Sequence, residues 1–306
     1  MHAVFLGTPA AAVGSLAALS DIIDISRVIT QPDAPQGRSK RLAPPPVKVA
    51  AIEWGFSVSQ PTTAKELTAL ITELQPTLGL VVAYGRLLKP DVLEIPFRGF
   101  VNVHFSLLPR WRGAAPVERA ILTGDESTGV SLMSIDEGLD TGPVLARVET
   151  PIGPEETGGS LTARLAHLGA EMVDDVLPSF LHGELRGAPQ IGSAATHAAR
   201  LTKAEAQLHP ELSVAAFLRA VRAYNPRPGA WLSVNGERVK VHTAGEGVVA
   251  AEPGLITPDA DGRPNLGLAD GSIALVSVQP PGKRIMCAED WLRGIRGDTI
   301  SVGGPV

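Results

Sequence analysis

The sequence predicts an α/β protein, with a Rossmann-like, doubly wound, mainly parallel sheet followed by a smaller β-barrel. Three observations carry this. Over the first 180 residues short apolar runs alternate with helix-like segments, the pattern of a parallel sheet covered on both faces. From Gly183 to Ala199 the text becomes "GELRGAPQIGSAATHAA", small and polar with no period, as in a linker between domains. Beyond it a single helix-like stretch gives way to many short strand-like pieces separated by turns, which suggests an antiparallel barrel of the OB-like kind.

The elements follow in order. Strands are expected at "HAVFLG" (2–7), "SRVITQ" (26–31), "TLGLVVAYG" (77–85) and "FVNVHFS" (100–106), and helices at 10–19, 47–55, 64–74 and 116–124. Thr8 and Pro9 suit the N-cap and first position of the opening helix. The glycines after the first strand fall at Gly7 and Gly14, not in a GxGxxG fingerprint, so a dinucleotide site is not expected. "VAAFLRAVRAY" (214–224) reads as a helix, and "SVNGERVKV" (233–241) carries the Asn-Gly signal of a two-residue hairpin. The expected division is a catalytic domain over 1–184, a linker over 185–203 and a barrel domain over 204–306.

The chain has 306 residues, 44% of them apolar and 19% charged, enough for two packed domains and unlike a disordered chain. Its one cysteine, Cys287, permits neither an intrachain disulfide nor a cysteine-based metal site. The amino-terminal stretch lacks the basic segment of a secretory signal, and no apolar run approaches the roughly 20 residues that span a bilayer. A cytoplasmic protein is expected. Net charge is −5, divided as −6 over residues 1–199 and +1 over 200–306, so a nucleic-acid partner would have to be met by local basic patches.

One strand draws attention. In "VNVHFSLLP" (101–109) the period of two places Asn102, His104 and Ser106 on one face and Val101, Val103 and Phe105 on the other. A buried Asn or His without a hydrogen-bond partner costs about 1–3 kcal/mol, so the pair is either satisfied internally or faces a ligand. Asp140 lies in the Gly-rich turn "DEGLDTGP", the kind of loop in which open α/β sheets hold their ligands. Spacing alone leaves both readings of the strand open.

The wording of the motifs goes further. "NVHFSLLPRWRGAAP" (102–116) and "TGVSLMSIDEGLDTGP" (128–143) strongly resemble the folate-dependent formyltransferases. So do "FLGTP" at 5–9, "TQPDAPQGRSKRLAPPPVK" at 30–48, "VVAYGRLL" at 81–88, "ATHAARLTKAEAQL" at 195–208, "VRAYNPRPGAW" at 221–231 and "QPPGKRIM" at 279–286. The resemblance implies transfer of the formyl group of 10-formyltetrahydrofolate to the α-amine of methionine esterified to initiator tRNA, without a metal. It implies Asn102, His104 and Asp140 as the catalytic set.

The chemistry explains those residue types. A neutral amine attacks the formyl carbon, charge develops on the formyl oxygen, and donors such as the Asn102 amide and a His104 N–H stabilise it in the transition state. One nitrogen must lose a proton and the other gain one. Asp140 could orient His104, favour its protonated form, or relay a proton through water.

The resemblance carries the folate pocket to Arg86, Leu87, Leu88, Ser106, Leu107, Leu108 and Pro109, whose leucines would serve equally as core. Tyr84 beside them reads as packing. Residues 31–48 hold five prolines and four Lys or Arg, and the resemblance implies that this loop meets the tRNA acceptor end through Arg38, Lys40 and Arg41. Arg110, Trp111 and Arg112 could meet the tRNA terminus by ion pairing and stacking. In the second domain Arg222, Arg227, Lys240, Lys283 and Arg284 are the candidate phosphate contacts. A monomer with no membrane association is expected. Other readings are a formyltransferase acting on glycinamide ribonucleotide or an amino sugar nucleotide, and a catalytically dead tRNA-binding module; formylation assays separate them.

Overall fold

The computed structural model describes residues 1–36, 41–295 and 300–303. It divides into two compact units: one takes 1–116, 127–151 and 162–198, the other 117–126, 152–161 and 199–306. Among the described residues no helix is long and apolar enough to cross a membrane.

The first unit is built on a seven-stranded sheet. Its strands are β1 (His2–Gly7), β2 (Asp24–Ile29), β3 (Val58–Ser59), β4 (Leu78–Val82), β5 (Phe100–His104), β6 (Ser127–Ser134) and β7 (Val144–Pro151), in the order β7-β6-β5-β4-β1-β2-β3. The run from β3 to β5 is parallel, and β6 and β7 are added antiparallel. The mainly parallel sheet read from the alternation is therefore present. Every residue of β4, "LGLVV", is buried, as a parallel strand covered on both faces requires. The chain order reverses at β1, which opens a crevice at the carboxyl ends of β1, β4 and β5, where such sheets receive ligands.

The helices of this unit include α1 (Val13–Ile22), α2 (Pro46–Glu53) and α3 (Ala64–Leu74). In α3, Thr63 caps the first turn by accepting from the Glu66 N–H at 3.2 Å, and the Glu66 carboxylate accepts from the Thr62 N–H at 2.7 Å. Leu67 and Ile71, one turn apart, carry its apolar stripe into the core with Val4, Leu6, Ile29 and Phe100. The long helix α4 (Gly158–His182) passes so close to β5 that a Cβ on Gly169 would lie 2.7 Å from a Val103 methyl, so glycine is needed there for contact.

Two expectations are corrected here. Thr8 and Pro9 do not start α1; a 3₁₀ turn, Ala10–Ala12, intervenes, and Ala12 is the N-cap. The Thr8 hydroxyl donates instead to the Tyr84 carbonyl at 3.0 Å, tying the end of β1 to the end of β4. The linker-like stretch is also not loose over its first part. Ala188 exchanges both backbone hydrogen bonds with Val144, and His197–Ala198 pairs in parallel with Arg112–Gly113. Residues 185–198 are thus held on the first unit, where backbone pairing supplies the order that a periodic side-chain pattern would otherwise announce.

The Pro-rich insertion forms a small hairpin, Ala34–Gln36 against Arg41–Ala43, with Arg38 and Lys40 outside the described residues. Lys48 donates to both Asp33 carboxylate oxygens, at 2.8 and 2.9 Å, and to Gln60 at 2.8 Å, fastening the base of the hairpin.

In the second unit the strands β8 (Trp231–Val234), β9 (Glu237–Glu246), β10 (Leu255–Pro258), β11 (Pro264–Gly267) and β12 (Ser272–Gln279) form an antiparallel sheet in the order β8-β9-β12-β11-β10, with Ile300–Ser301 on its far edge. A bridge from Val302 back to Val234 closes it into a barrel. The Asn-Gly hairpin is present, with Asn235 and Gly236 at φ +48° and +80°, the two left-handed residues a tight hairpin needs. The helix α5 (Val214–Ala223) buries Phe217, Ala220 and Val221 in a core with Leu232, Val239, Leu266 and Ile273.

Within the same unit Arg119 pairs with Glu205 and donates to the Ala199 carbonyl at 3.0 and 3.2 Å. The Arg119 hydrogen bond holds the Glu205 carboxyl below the ordinary glutamate value. A lowered folded-state value means stability present above the ordinary glutamate range and lost as pH falls through the folded value. The pair is partly exposed, so its contribution stays below about 1 kcal/mol. Glu205→Gln is expected to lower Tm by a few degrees at pH 7, with the gap closing at acidic pH; a gap independent of pH would refute this linkage.

Candidate functional site

The site stands at the carboxyl end of β5. Asn102 pairs through its backbone with Val81 of β4 and Met133 of β6, inside the sheet, and is half-buried. Among the described residues no hydrogen bond engages the Asn102 amide, so its two N–H groups are available as donors. Val101 and Val103, on the other face, are buried with 0% and 3% exposure, in the alternation read from the sequence.

His104 is 6% exposed, and both of its ring nitrogens have defined surroundings. Nε2 lies 2.9 Å from the Trp111 carbonyl. A carbonyl can only accept, so Nε2 carries a proton and Nδ1 is the nitrogen left to gain or lose one. Nδ1 faces the Asp140 carboxylate, whose Oδ2 is 3.7 Å away. That distance is too long for a hydrogen bond but suits an ion pair once the ring is charged. The neutral ring therefore presents a lone pair, and the charged ring has its counter-ion in place.

Asp140 is set by its turn. Its φ of +53° is left-handed, a conformation Asp adopts at lower cost than most residues. Oδ2 accepts from the Gly113 N–H at 2.8 Å. Gly113 is itself at φ +123°, and a Cβ there would meet the Ala198 carbonyl at 2.7 Å, so only glycine lets this N–H reach the carboxylate. The Trp111 carbonyl that receives His104 is also positioned, since the Trp111 N–H donates to Thr196 Oγ1 and the Arg112 N–H to the Thr196 carbonyl, each at 2.9 Å.

The other expected site residues divide. Arg86 and Leu87 are exposed in the loop after β4, Arg86 donating to the Pro61 carbonyl at 2.9 Å, and Leu88 is half-buried against the core. Ser106 is fully buried and donates to the Arg110 carbonyl at 2.6 Å; Leu108 packs on Met133 and Val144 as core, while Leu107 and Pro109 are half-buried. Ser131 joins this turn to β6, donating to the Ser106 carbonyl at 2.7 Å and accepting from the Leu108 N–H at 3.0 Å. Tyr84, read as packing, is 2% exposed, and burial raises its hydroxyl above the usual tyrosine value.

Among the basic candidates Arg41 is exposed, and the exposed Arg110 guanidinium sits 4.6 Å from the Trp111 ring centroid. Arg227, Lys283 and Arg284 are exposed and Lys240 is half-buried. Two candidates turn inward. Arg112 is 9% exposed and donates through Nε and Nη2 to Gln190, at 3.0 and 2.7 Å. Arg222 is half-buried and donates to the Glu156 carbonyl at 3.1 Å, and burial lowers its pKa from the ordinary arginine value. Charge in the sequence does not reveal which way a guanidinium points. Gly113, Gln190 and Thr196 carry no signal of their roles, because each lies in a stretch without a period.

Comparisons with known proteins agree with this architecture. Residues 4–177 match the formyl transferase family model and residues 200–296 match the formyl transferase C-terminal domain. The chain is 43% identical over 293 residues to a protein of Myxococcus xanthus named methionyl-tRNA formyltransferase, covering 95% of this chain and 94% of that one. It is 45% identical over 299 residues to a protein of the same name from Halorhodospira halophila, covering 96% of each. Among solved structures it resembles HypX from Aquifex aeolicus, with a TM-score of 0.69 at 20% identity, over 97% of this chain and 49% of that longer one. It also resembles WlaRD, a sugar 3N-formyl transferase, with a TM-score of 0.66 at 15% identity, over 93% of this chain and 99% of the other. Likeness at such identities concerns the fold, whereas the match along nearly the whole sequence concerns descent, and on that ground the chain belongs to the formyl transferase family.

Proposed function

We propose that this formyltransferase moves the formyl group of 10-formyltetrahydrofolate to the α-amine of methionine esterified to initiator tRNA, working in the cytoplasm as a monomer. The observation that carries the chemistry is His104, held by the Trp111 carbonyl on one nitrogen and facing Asp140 with the other, on the strand that also carries Asn102 two residues before it. The substrate is supported by the identity to relatives of that name, which extends through the second unit. In this reading 1–184 carries the catalytic residues, 185–203 connects while its paired part, 185–198, braces the site, and 204–306 serves the tRNA.

The neutral amine attacks the formyl carbon while the Asn102 N–H groups stabilise the developing charge on the formyl oxygen. His104 Nε2–H is committed to Trp111, so His104 contributes through Nδ1, accepting the proton that the attacking nitrogen loses. Asp140 stabilises the imidazolium so formed. The carbon–N10 bond then breaks, N10 takes the proton, and the products are N-formylmethionyl-tRNA and tetrahydrofolate. Arg86, Leu87, Leu88, Ser106, Leu107, Leu108 and Pro109 line the folate side, several through backbone groups and not side chains. The hairpin bearing Arg41, with Arg110, Lys283 and Arg284, meets tRNA phosphates.

The test offers 10-formyltetrahydrofolate with charged initiator tRNA, charged elongator tRNA or an amino sugar nucleotide in parallel. Formylation of the initiator species is expected. Binding without product would favour a tRNA-binding module, and formylation of the sugar alone would overturn the tRNA assignment. Arg41→Ala is expected to raise KM for the tRNA and reduce the slope of log affinity against log salt by about 1, with KM for the folate unchanged.

A further inference from the structure

We propose that Gln190 is a positioning residue for formyl transfer, clamping the turn that carries Asp140 onto the Arg112–Gly113 segment so that the carboxylate faces His104. The inference rests on the catalytic reading of Asp140 given above. Gln190 lies in the linker-like stretch, yet its side-chain amide is fully engaged. Oε1 accepts from Arg112 Nε and Nη2 at 3.0 and 2.7 Å, and Nε2 donates to the carbonyls of Asp140 and Gly142 at 2.9 and 2.8 Å. A guanidinium can only donate and a carbonyl only accept, so this amide has one permitted orientation.

The consequences converge on one residue. Gln190 grips the Asp140 backbone carbonyl, while the Gly113 N–H, next in sequence to the arginine that Gln190 anchors, grips the Asp140 side chain at 2.8 Å. Asp140 is left-handed, a conformation that must be held by its surroundings, and two of those holds meet at Gln190 and its partner. Arg112 is thereby assigned to the scaffold of the site in place of the phosphate contact first expected of it. Thr196, a few residues on, holds the Trp111 peptide that receives His104, so the same strap fixes both members of the His–Asp pair.

Gln190→Met keeps the length of the side chain and removes the amide. Gln190→Glu keeps the acceptor for Arg112 and removes the donors to Asp140 and Gly142. Both variants are expected to lose about 10-fold in kcat with little change in either KM, as for a small displacement of a reacting group. Adding Gln190→Met to Asp140→Asn is expected to cost nothing further, because a residue that acts through Asp140 has nothing left to position. A kcat equal to wild type in Gln190→Glu, or losses that multiply in the double variant, would overturn the inference. If the wild-type chain forms no formylmethionyl-tRNA, or Asp140→Asn is fully active, the catalytic reading itself fails and takes this inference with it.

Discussion

His104→Ala is expected to lower kcat for formyl transfer by about 100-fold or more, the usual cost of removing a general acid–base group. Binding is expected to change little, because the ring's polar contacts in the structure are internal: the Trp111 carbonyl on one side and Asp140 on the other. KM values for folate and tRNA should therefore stay within roughly twofold of wild type while kcat falls, the signature of an interaction made only in the transition state. His104→Gln sharpens the test. An amide can donate to the Trp111 carbonyl as Nε2 does, but it supplies no basic nitrogen lone pair at the Nδ1 position. It is expected to fold normally and remain as slow as the alanine variant. Steady-state kinetics with both substrates varied decides the matter, and wild-type turnover in either variant would remove His104 from the chemistry.

Asp140→Asn is the second large effect, expected at roughly 100-fold in kcat. Asparagine tolerates the left-handed backbone at this position and keeps an acceptor for the Gly113 N–H, so the turn persists while the charge disappears. What is lost is the counter-ion 3.7 Å from Nδ1, and with it the stabilisation of the imidazolium formed during attack. Single-turnover measurements with saturating folate isolate that step. A variant with undiminished turnover would show that the carboxylate only shapes the turn.

Much of the fold and of the site is legible along the chain, and the reasons differ by element. The buried parallel strands announce themselves as unbroken apolar runs such as "LGLVV", because both of their faces must avoid water. The period of two in "VNVHF" is enough to put Asn102 and His104 on one face, since strand geometry alternates side chains whatever surrounds them. The Asn-Gly pair specifies its hairpin because few other residues accept φ > 0 twice in succession. Thr8 misleads, since a hydroxyl ahead of a helix can cap it or bond elsewhere, and here a carbonyl 76 residues away competes successfully. Arg112 misleads for a related reason: a basic residue beside a catalytic strand suits a phosphate or a buried scaffold equally well until its partner is known.

By itself, then, the sequence determined the α/β alternation of the first domain with four of its seven strands, the face on which the polar pair lies, and the residue types available for formyl transfer. Those follow from local periodicity and from chemistry carried by single side chains. Only the tertiary structure decided which nitrogen of His104 is committed, that Asp140 lies opposite the other, and that the stretch around Gln190 and Thr196 is the strap holding both. These depend on hydrogen bonds between residues 7 to 85 positions apart, each joining a side chain to a backbone group that every residue possesses, and such a partner leaves no mark in the sequence until the chain has closed upon itself.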